Sequence, residues 1–249
     1  MTSELLRPAG SAAFKDRFTT RANELLQNYE EGDQSTFGLI GFPLSKSSIS
    51  HSGAAFAPSV IRDCLAGFTT YSVETKKELT EKIIDFGDCL MHPTDISESQ
   101  RRITEALEEV LATEACEYWF LLGGDHSISY STIKAFSKRR KIGVLQFDAH
   151  HDLRNTEDGG PTNGTPFRRL IDNGILQGRA ITQIGIRDFM NAKSYHQFAK
   201  QHGVRVYSMM QVRTMGIEGI VERELEYLAK FVDEIYLSVD MDVLDQTFA

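Results

Sequence analysis

Asp148, His150 and Asp152 stand at i, i+2 and i+4 in QFDAHHDLR, residues 146–154. Side chains alternate along an extended chain, so this spacing puts all three on one face. Two carboxylates and an imidazole, directly after the apolar run Ile142–Phe147, make poor core and a good metal site. Two other stretches repeat the arrangement. LLGGDHS, residues 121–127, breaks an apolar run at Gly123-Gly124 and presents His126, while SVDMD, residues 238–242, carries Asp240 and Asp242 two apart. Alone, a GGDH or a DxD is a weak signal, because many turns contain them. Together the three supply two histidines and four aspartates. Four crowded carboxylates repel and raise one another's pKa values, and two divalent cations would cancel that charge. The set therefore reads as a binuclear site. Its carboxylate-rich, cysteine-free donors suit Mn²⁺, with Fe²⁺, Co²⁺ and Ni²⁺ also able to occupy it. Two metals about 3.5–4 Å apart bridge a water and hold it as hydroxide toward an electrophile. The expected reaction class is metal-assisted hydrolysis.

The elements that must position these residues are legible as alternating periods. An N-terminal helix is predicted over Ala13–Tyr29, ending at the turn Glu31-Gly32-Asp33, and a first strand over Phe37–Pro43. The polar loop LSKSSISHSGAAFAP runs from there to Pro58 and reads equally as a ligand-approaching loop or plain surface. Further strands are predicted at Ile83–Asp88, Tyr118–Leu122, Ile142–Phe147, Ala180–Ile186, Val204–Tyr207 and Glu234–Val239. Helices are predicted at Pro58–Leu65, Ile96–Thr113, Ser129–Lys138, Phe167–Asn173, Lys193–His202 and Ile217–Lys230. Ile103, Leu107, Val110 and Leu111 give the helix over Ile96–Thr113 its apolar stripe. Such a beat means βαβ units and a mostly parallel sheet covered on both faces. In parallel sheets ligands collect beyond the strands' carboxyl ends, where all three motifs stand. No repeat, linker or boundary divides the chain, so residues 1–249 read as one α/β domain.

Composition narrows the class. The chain has 249 residues, 41% hydrophobic and 25% charged, an ordinary globular balance. A net charge of −8 argues against nucleic acid. The run Lys138-Arg139-Arg140-Lys141 reads as the basic end of a helix, favoured by its dipole. Cys64, Cys89 and Cys116 are too few and scattered for a disulfide or zinc framework. MTSELLRPAG lacks an apolar signal core, and no apolar run is long enough for a membrane span, so a reducing, cytoplasmic location is expected.

GGDHS, DAHHD and SVDMD resemble the three signatures of the ureohydrolase family, which includes arginase, agmatinase, guanidinobutyrase and formimidoylglutamase. The resemblance runs from Phe37 to the last residue. It implies an arginase-like fold, a three-layer α/β/α sandwich with a mostly parallel central sheet. It also implies two Mn²⁺ per subunit. His126, Asp148, Asp152 and Asp240 would hold one ion and Asp148, His150, Asp240 and Asp242 the other, with Asp148 and Asp240 bridging. A small-molecule substrate, no nucleic acid, no membrane and a homo-oligomer are implied as partners.

In arginase and agmatinase a histidine follows the second motif, whereas GGPTNGTPFRR here places Asn163 at that position. Loss of that proton shuttle weighs against arginase chemistry. DAHHDLRN…TNGTPFRR with GFPLSKSSISHSGAAFAP is most similar to the formimidoylglutamase branch, particularly its Bacillus-type members. The implied reaction is hydrolysis of N-formimidoyl-L-glutamate to L-glutamate and formamide, in histidine degradation, by a hydroxide bridging the two ions. Asp148 and Asp152 would be catalytic, Asp152 passing the proton to the leaving nitrogen. The substrate carboxylates call for fork-shaped or ammonium partners. Arg154 leads, then Arg187 and Lys46, with Asn163 at the mouth. His151 faces away from His150 and reads as packing or support. The chain stops in SVDMDVLDQTFA, where family members continue with a Pro-Gly turn and a helix–strand–helix. A C-terminally truncated family domain, with exposed strand edges, is thus expected. The alternatives are an agmatinase- or guanidinobutyrase-type guanidino hydrolase and a catalytically inactive binding or assembly subunit.

Overall fold

Strands and helices alternate through residues 16–49 and 53–248, the residues that this computed structural model describes. The strands are β1 (Leu26–Asn28), β2 (Ser35–Phe42), β3 (Tyr71–Ser72), β4 (Lys77–Glu78), β5 (Ile83–Asp88), β6 (Cys116–Gly123), β7 (Ile142–Phe147), β8 (Ile181–Ile186), β9 (Arg205–Ser208) and β10 (Glu234–Val239). The α-helices are α1 (Ala57–Cys64), α2 (Ile96–Ala112), α3 (Ile128–Ser137), α4 (Pro166–Asp172), α5 (Lys193–His202), α6 (Met209–Met215) and α7 (Ile217–Leu228). All ladders but the β3–β4 hairpin are parallel, which demands the helical crossovers that the sequence supplies. The expected α/β class with flanking helices is borne out.

The strands form two four-stranded ladders, β1-β5-β2-β6 and β10-β7-β8-β9. Among the described residues no ladder joins β6 to β10. Apolar side chains stand exposed along both of these outer strands, Tyr118 and Phe120 on β6, Leu237 and Val239 on β10. The C-terminal ends of the two strands nonetheless meet, because His126 Nε2 lies 2.7 Å from Ser238 Oγ.

Burial explains why each segment takes its form. β7 is IGVLQF, buried through its first five positions, as a parallel strand covered on both faces must be. The stripe Ile103, Leu107 and Leu111 turns α2 onto a cluster with Ile40, Phe42, Leu44 and Ile128. A second cluster sets Phe167 and Leu170 of α4 and Phe198 of α5 against Ile142, Val144 and Ile181. Asp95 caps α2, its side chain accepting the Glu98 N–H at 3.0 Å.

One helix expectation fails. Residues 13–15 lie outside the described residues, and within 16–29 the chain makes a short 3₁₀ turn, Ala22–Leu25, then β1. Leu26–Asn28 pair with Ile83–Asp85 at the sheet edge, so tertiary pairing overrides the helical preference of ANELLQ. The sequence also did not reveal α6 or the β3–β4 hairpin. No helix among the described residues is long and apolar enough to cross a membrane.

Candidate metal centre

Three strand ends deliver the six predicted ligands. β10 lies beside β7 with Val239 opposite Phe147, so Asp240 leaves the sheet level with Asp148. The Asp240 N–H donates to the Phe147 carbonyl at 2.9 Å, and the Asp148 N–H to the Ile184 carbonyl of β8 at 3.1 Å. Past β6 the chain turns at Gly124, where a Cβ would lie 2.0 Å from the Leu44 carbonyl oxygen. Only glycine permits that approach, and the turn brings His126 in beside α3.

Asp148, His150 and Asp152 do converge, but not by strand alternation. β7 ends at Phe147, the backbone bends at Ala149 and His150, and Asp152 adopts a left-handed φ of +51°. Such a conformation in a non-glycine residue persists where its surroundings fix it. Here the His150 N–H donates to Asp148 Oδ1 at 2.7 Å and the Ala149 N–H to Asp242 Oδ1 at 3.2 Å. Asn191 Nδ2 donates to the Ala149 carbonyl and Asn191 Oδ1 accepts the His151 N–H.

His126 Nδ1 stands 3.0 Å from Asp148 Oδ2, 3.0 Å from Asp152 Oδ2 and 3.2 Å from Asp240 Oδ2. Despite these distances the buried nitrogen makes no well-formed hydrogen bond. A nitrogen ringed by three carboxylate oxygens that do not serve as its acceptors is a ligand atom wanting a cation. Ligand atoms of His126, Asp148 and Asp240 lie within 4.8 Å of one another, and so do those of Asp148, His150 and Asp242. Asp148 belongs to both groups. Asp240 belongs to the first, its Oδ1 accepting the Asp242 N–H at 2.9 Å. His150 Nδ1 approaches Asp242 Oδ2 at 2.9 Å. The donor set fits two hard-to-borderline divalent ions sharing Asp148.

The electrostatics agree. Burial opposes charge on the His126 imidazole, yet Asp148, Asp152 and Asp240 outweigh it and hold its pKa well above the ordinary value. Asp148 and Asp242 raise His150 to about 10. Burial raises Asp152, with the negative charge of Asp148 adding to it. Asp148 itself is depressed: burial would raise it, but His126 and His150 prevail.

Sequence reasoning missed the residues that hold these ligands. Ser238, the first residue of the third motif, is within 2.7 Å of His126 Nε2 and so fixes which ring nitrogen faces the acids. Gln146 Nε2 donates to Asp148 Oδ2 at 2.7 Å, and Gln183 Nε2 donates to Gln146 Oε1 at 2.7 Å. His151, turned from the acids as expected, bonds through Nδ1 to Gln183 Oε1 at 2.6 Å. The available signal was a fully buried glutamine in each of two apolar strands, β7 and β8.

The four substrate candidates fare differently. Arg154 is exposed, lies 5.7 Å over the Tyr195 ring and makes no ion pair among the described residues. Lys46 is exposed and likewise unpaired among them. Arg187 borders a cavity of about 430 Å³ with His150, Asp240 and Asp242, but its Nη2 is committed to the carbonyls of Val243 and Leu244 at 3.1 and 2.5 Å. Asn163 is also occupied, its Oδ1 accepting the Ile49 N–H at 3.1 Å and its N–H donating to the Ser47 carbonyl at 3.0 Å. Residues 50–52 of that loop lie outside the described residues.

Residues 35–249 match the family model described as the arginase family. The chain is 54% identical to formimidoylglutamase of Halalkalibacterium halodurans over 96% of its own length and 76% of that protein's. With formimidoylglutamase of Bacillus subtilis it shares 46% identity over 98% of this chain and 77% of the relative. The crystal structure of the Bacillus subtilis enzyme superposes with a TM-score of 0.92, covering 98% of this chain and 76% of that one. With the acidic cage at the three strand ends and this likeness along nearly its whole length, the chain belongs to the arginase family.

Proposed function

We propose that this chain is a metal-dependent hydrolase of a linear amidine, converting N-formimidoyl-L-glutamate and water to formamide and L-glutamate, with two Mn²⁺ as the resident ions. The observation that carries the reading is the His126 nitrogen ringed by carboxylates, joined through Asp148 to a second ligand cluster. The two relatives named formimidoylglutamase support the substrate.

His126, Asp148, Asp152 and Asp240 would hold one ion and Asp148, His150, Asp240 and Asp242 the other. When bound, the pair would neutralise the carboxylates and lower the pKa of a water toward 7. The chain's own groups do the rest. Arg154, whose guanidinium pairs with no carboxylate among the described residues, takes a substrate carboxylate in fork geometry. Lys46 offers a second cation for a dicarboxylate. The water oxygen bonds to the amidine carbon and gives one proton to Asp152, the bond from that carbon to the glutamate nitrogen breaks, and that nitrogen takes up the proton, while the water's second proton ends on the nitrogen retained in formamide. Asp152, buried and beside His126, hands over that proton from its carboxyl oxygen. Assembly as a homo-oligomer in the cytoplasm belongs to the same proposal.

The test is a substrate panel. Mn²⁺-loaded protein should release formamide and glutamate from N-formimidoyl-L-glutamate and leave agmatine and arginine untouched. Urea released from either guanidino compound at a comparable rate would replace this reading with a guanidino hydrolase.

A further inference from the structure

The loop after β2 is fastened at two points. Its near end lies on the His126 turn: the Asp125 N–H donates to the Leu44 carbonyl at 2.6 Å, across the gap that Gly124 leaves open. Ser47 Oγ then lies 2.8 and 3.0 Å from the two Asp125 carboxylate oxygens and 2.6 Å from Ser127 Oγ. All three side chains are buried, and among the described residues the Asp125 carboxylate meets only hydroxyls and N–H groups, with no cation. The far end is held by Asn163, which gives its N–H to the Ser47 carbonyl and takes the Ile49 N–H on Oδ1. Asn163 sits in the loop that also grips Arg154, whose N–H donates to the Gly164 carbonyl at 2.9 Å.

We infer that residues 44–49 form a strap held in register by Asn163, and that Asn163 is a positioning residue that sets affinity for an acidic substrate by fixing Lys46 relative to Arg154. This rests on the hydrolase reading above. The physical argument is that two cations can grip a dicarboxylate only if their separation is fixed, since each flexible arm otherwise loses entropy on binding. Lys46 lies inside the fastened segment, one residue before Ser47, and Arg154 is hydrogen-bonded to the neighbour of Asn163. One asparagine therefore ties both cation-bearing backbones together. Its side chain contacts no predicted metal ligand.

The test is a double-mutant cycle on Mn²⁺-loaded protein with N-formimidoyl-L-glutamate, joined to hydrogen exchange at the Ile49 amide. Asn163→Ala should raise KM about tenfold, the worth of one well-placed charged contact, while kcat stays within about twofold. Bound Mn²⁺ should not change, and Ile49 should lose its protection. Lys46→Ala should raise KM similarly, and the double variant should be little worse than either single one. Additive effects, an unchanged KM or lost metal in Asn163→Ala would overturn the inference. Should the parent protein turn over no N-formimidoyl-L-glutamate, the substrate reading fails separately. Exchange alone then judges the strap: unchanged Ile49 protection in Asn163→Ala contradicts it.

Discussion

The two halves of the acidic cage differ in depth. On the His126 side, side-chain exposure is 7% for His126, 1% for Asp148 and 10% for Asp152, with Asp240, at 30%, on the rim between the two halves. On the other side it is 34% for His150 and 43% for Asp242. The deep half is walled by Phe167, whose ring meets the His126 imidazole edge-on at 5.5 Å, and by Ser238. The open half borders the cavity that Arg187, Met190 and Leu244 line. Charges in the deep half cannot be solvated, so they are tolerable only with a cation or with protons. In the open half water shares that task. Depth thus separates a half largely closed to water from one open to it.

The comparison can be broken most severely at the residue common to both halves. Asp148→Ala should remove both ions and lower turnover on the order of 10³-fold or more, read by steady-state kinetics. Phe167→Ala tests the deep wall and should cost about 3–5 kcal/mol of stability in denaturant melts, with metal binding lost alongside. Asp242→Asn tests the open half and should lower turnover on the order of 10²-fold, leaving one ion bound and the fold unchanged. Ser238→Ala loosens His126 alone and should weaken the deep ion about 10–100-fold in a metal titration. Acidity sharpens the contrast least. Metal-free His150 is held to about 10, and His126 is also raised, so each ion must displace protons on entry. Uptake should release protons, and apparent affinity should fall as pH falls, about tenfold per unit for each proton displaced. A titration in buffers of different ionisation enthalpy measures that release.

Much of this was legible in the residues. β5, β7, β10 and α5 take the spans predicted for them; β7 is buried along most of its length, whereas β10 holds its span with most positions exposed. All six predicted ligands come together, since parallel strands end on one side of each ladder. The path to that result was less legible: Asp152 reaches His126 through a left-handed bend that no periodicity encodes. β1 escaped because Leu26–Asn28 are strand only against β5, a partner distant in sequence. The link from Ser47, in a loop that read equally as plain surface, to Asp125 was not legible, for their pairing spans 78 residues. Arg187 borders the cavity beside His150 and Asp242, with one guanidinium nitrogen, Nη2, held by the carbonyls of Val243 and Leu244, contacts that its type and position in the sequence did not disclose. Side-chain chemistry was readable from type, while its availability depended on neighbours the chain supplies from afar.

The proposed centre holds two ions joined through Asp148. Manganese per chain, counted after gel filtration of protein loaded in Mn²⁺, tests it most directly. Two ions in the parent, one in Asp242→Asn and none in Asp148→Ala is the predicted pattern. A folded parent holding a single ion, or Asp148→Ala keeping both, would contradict it.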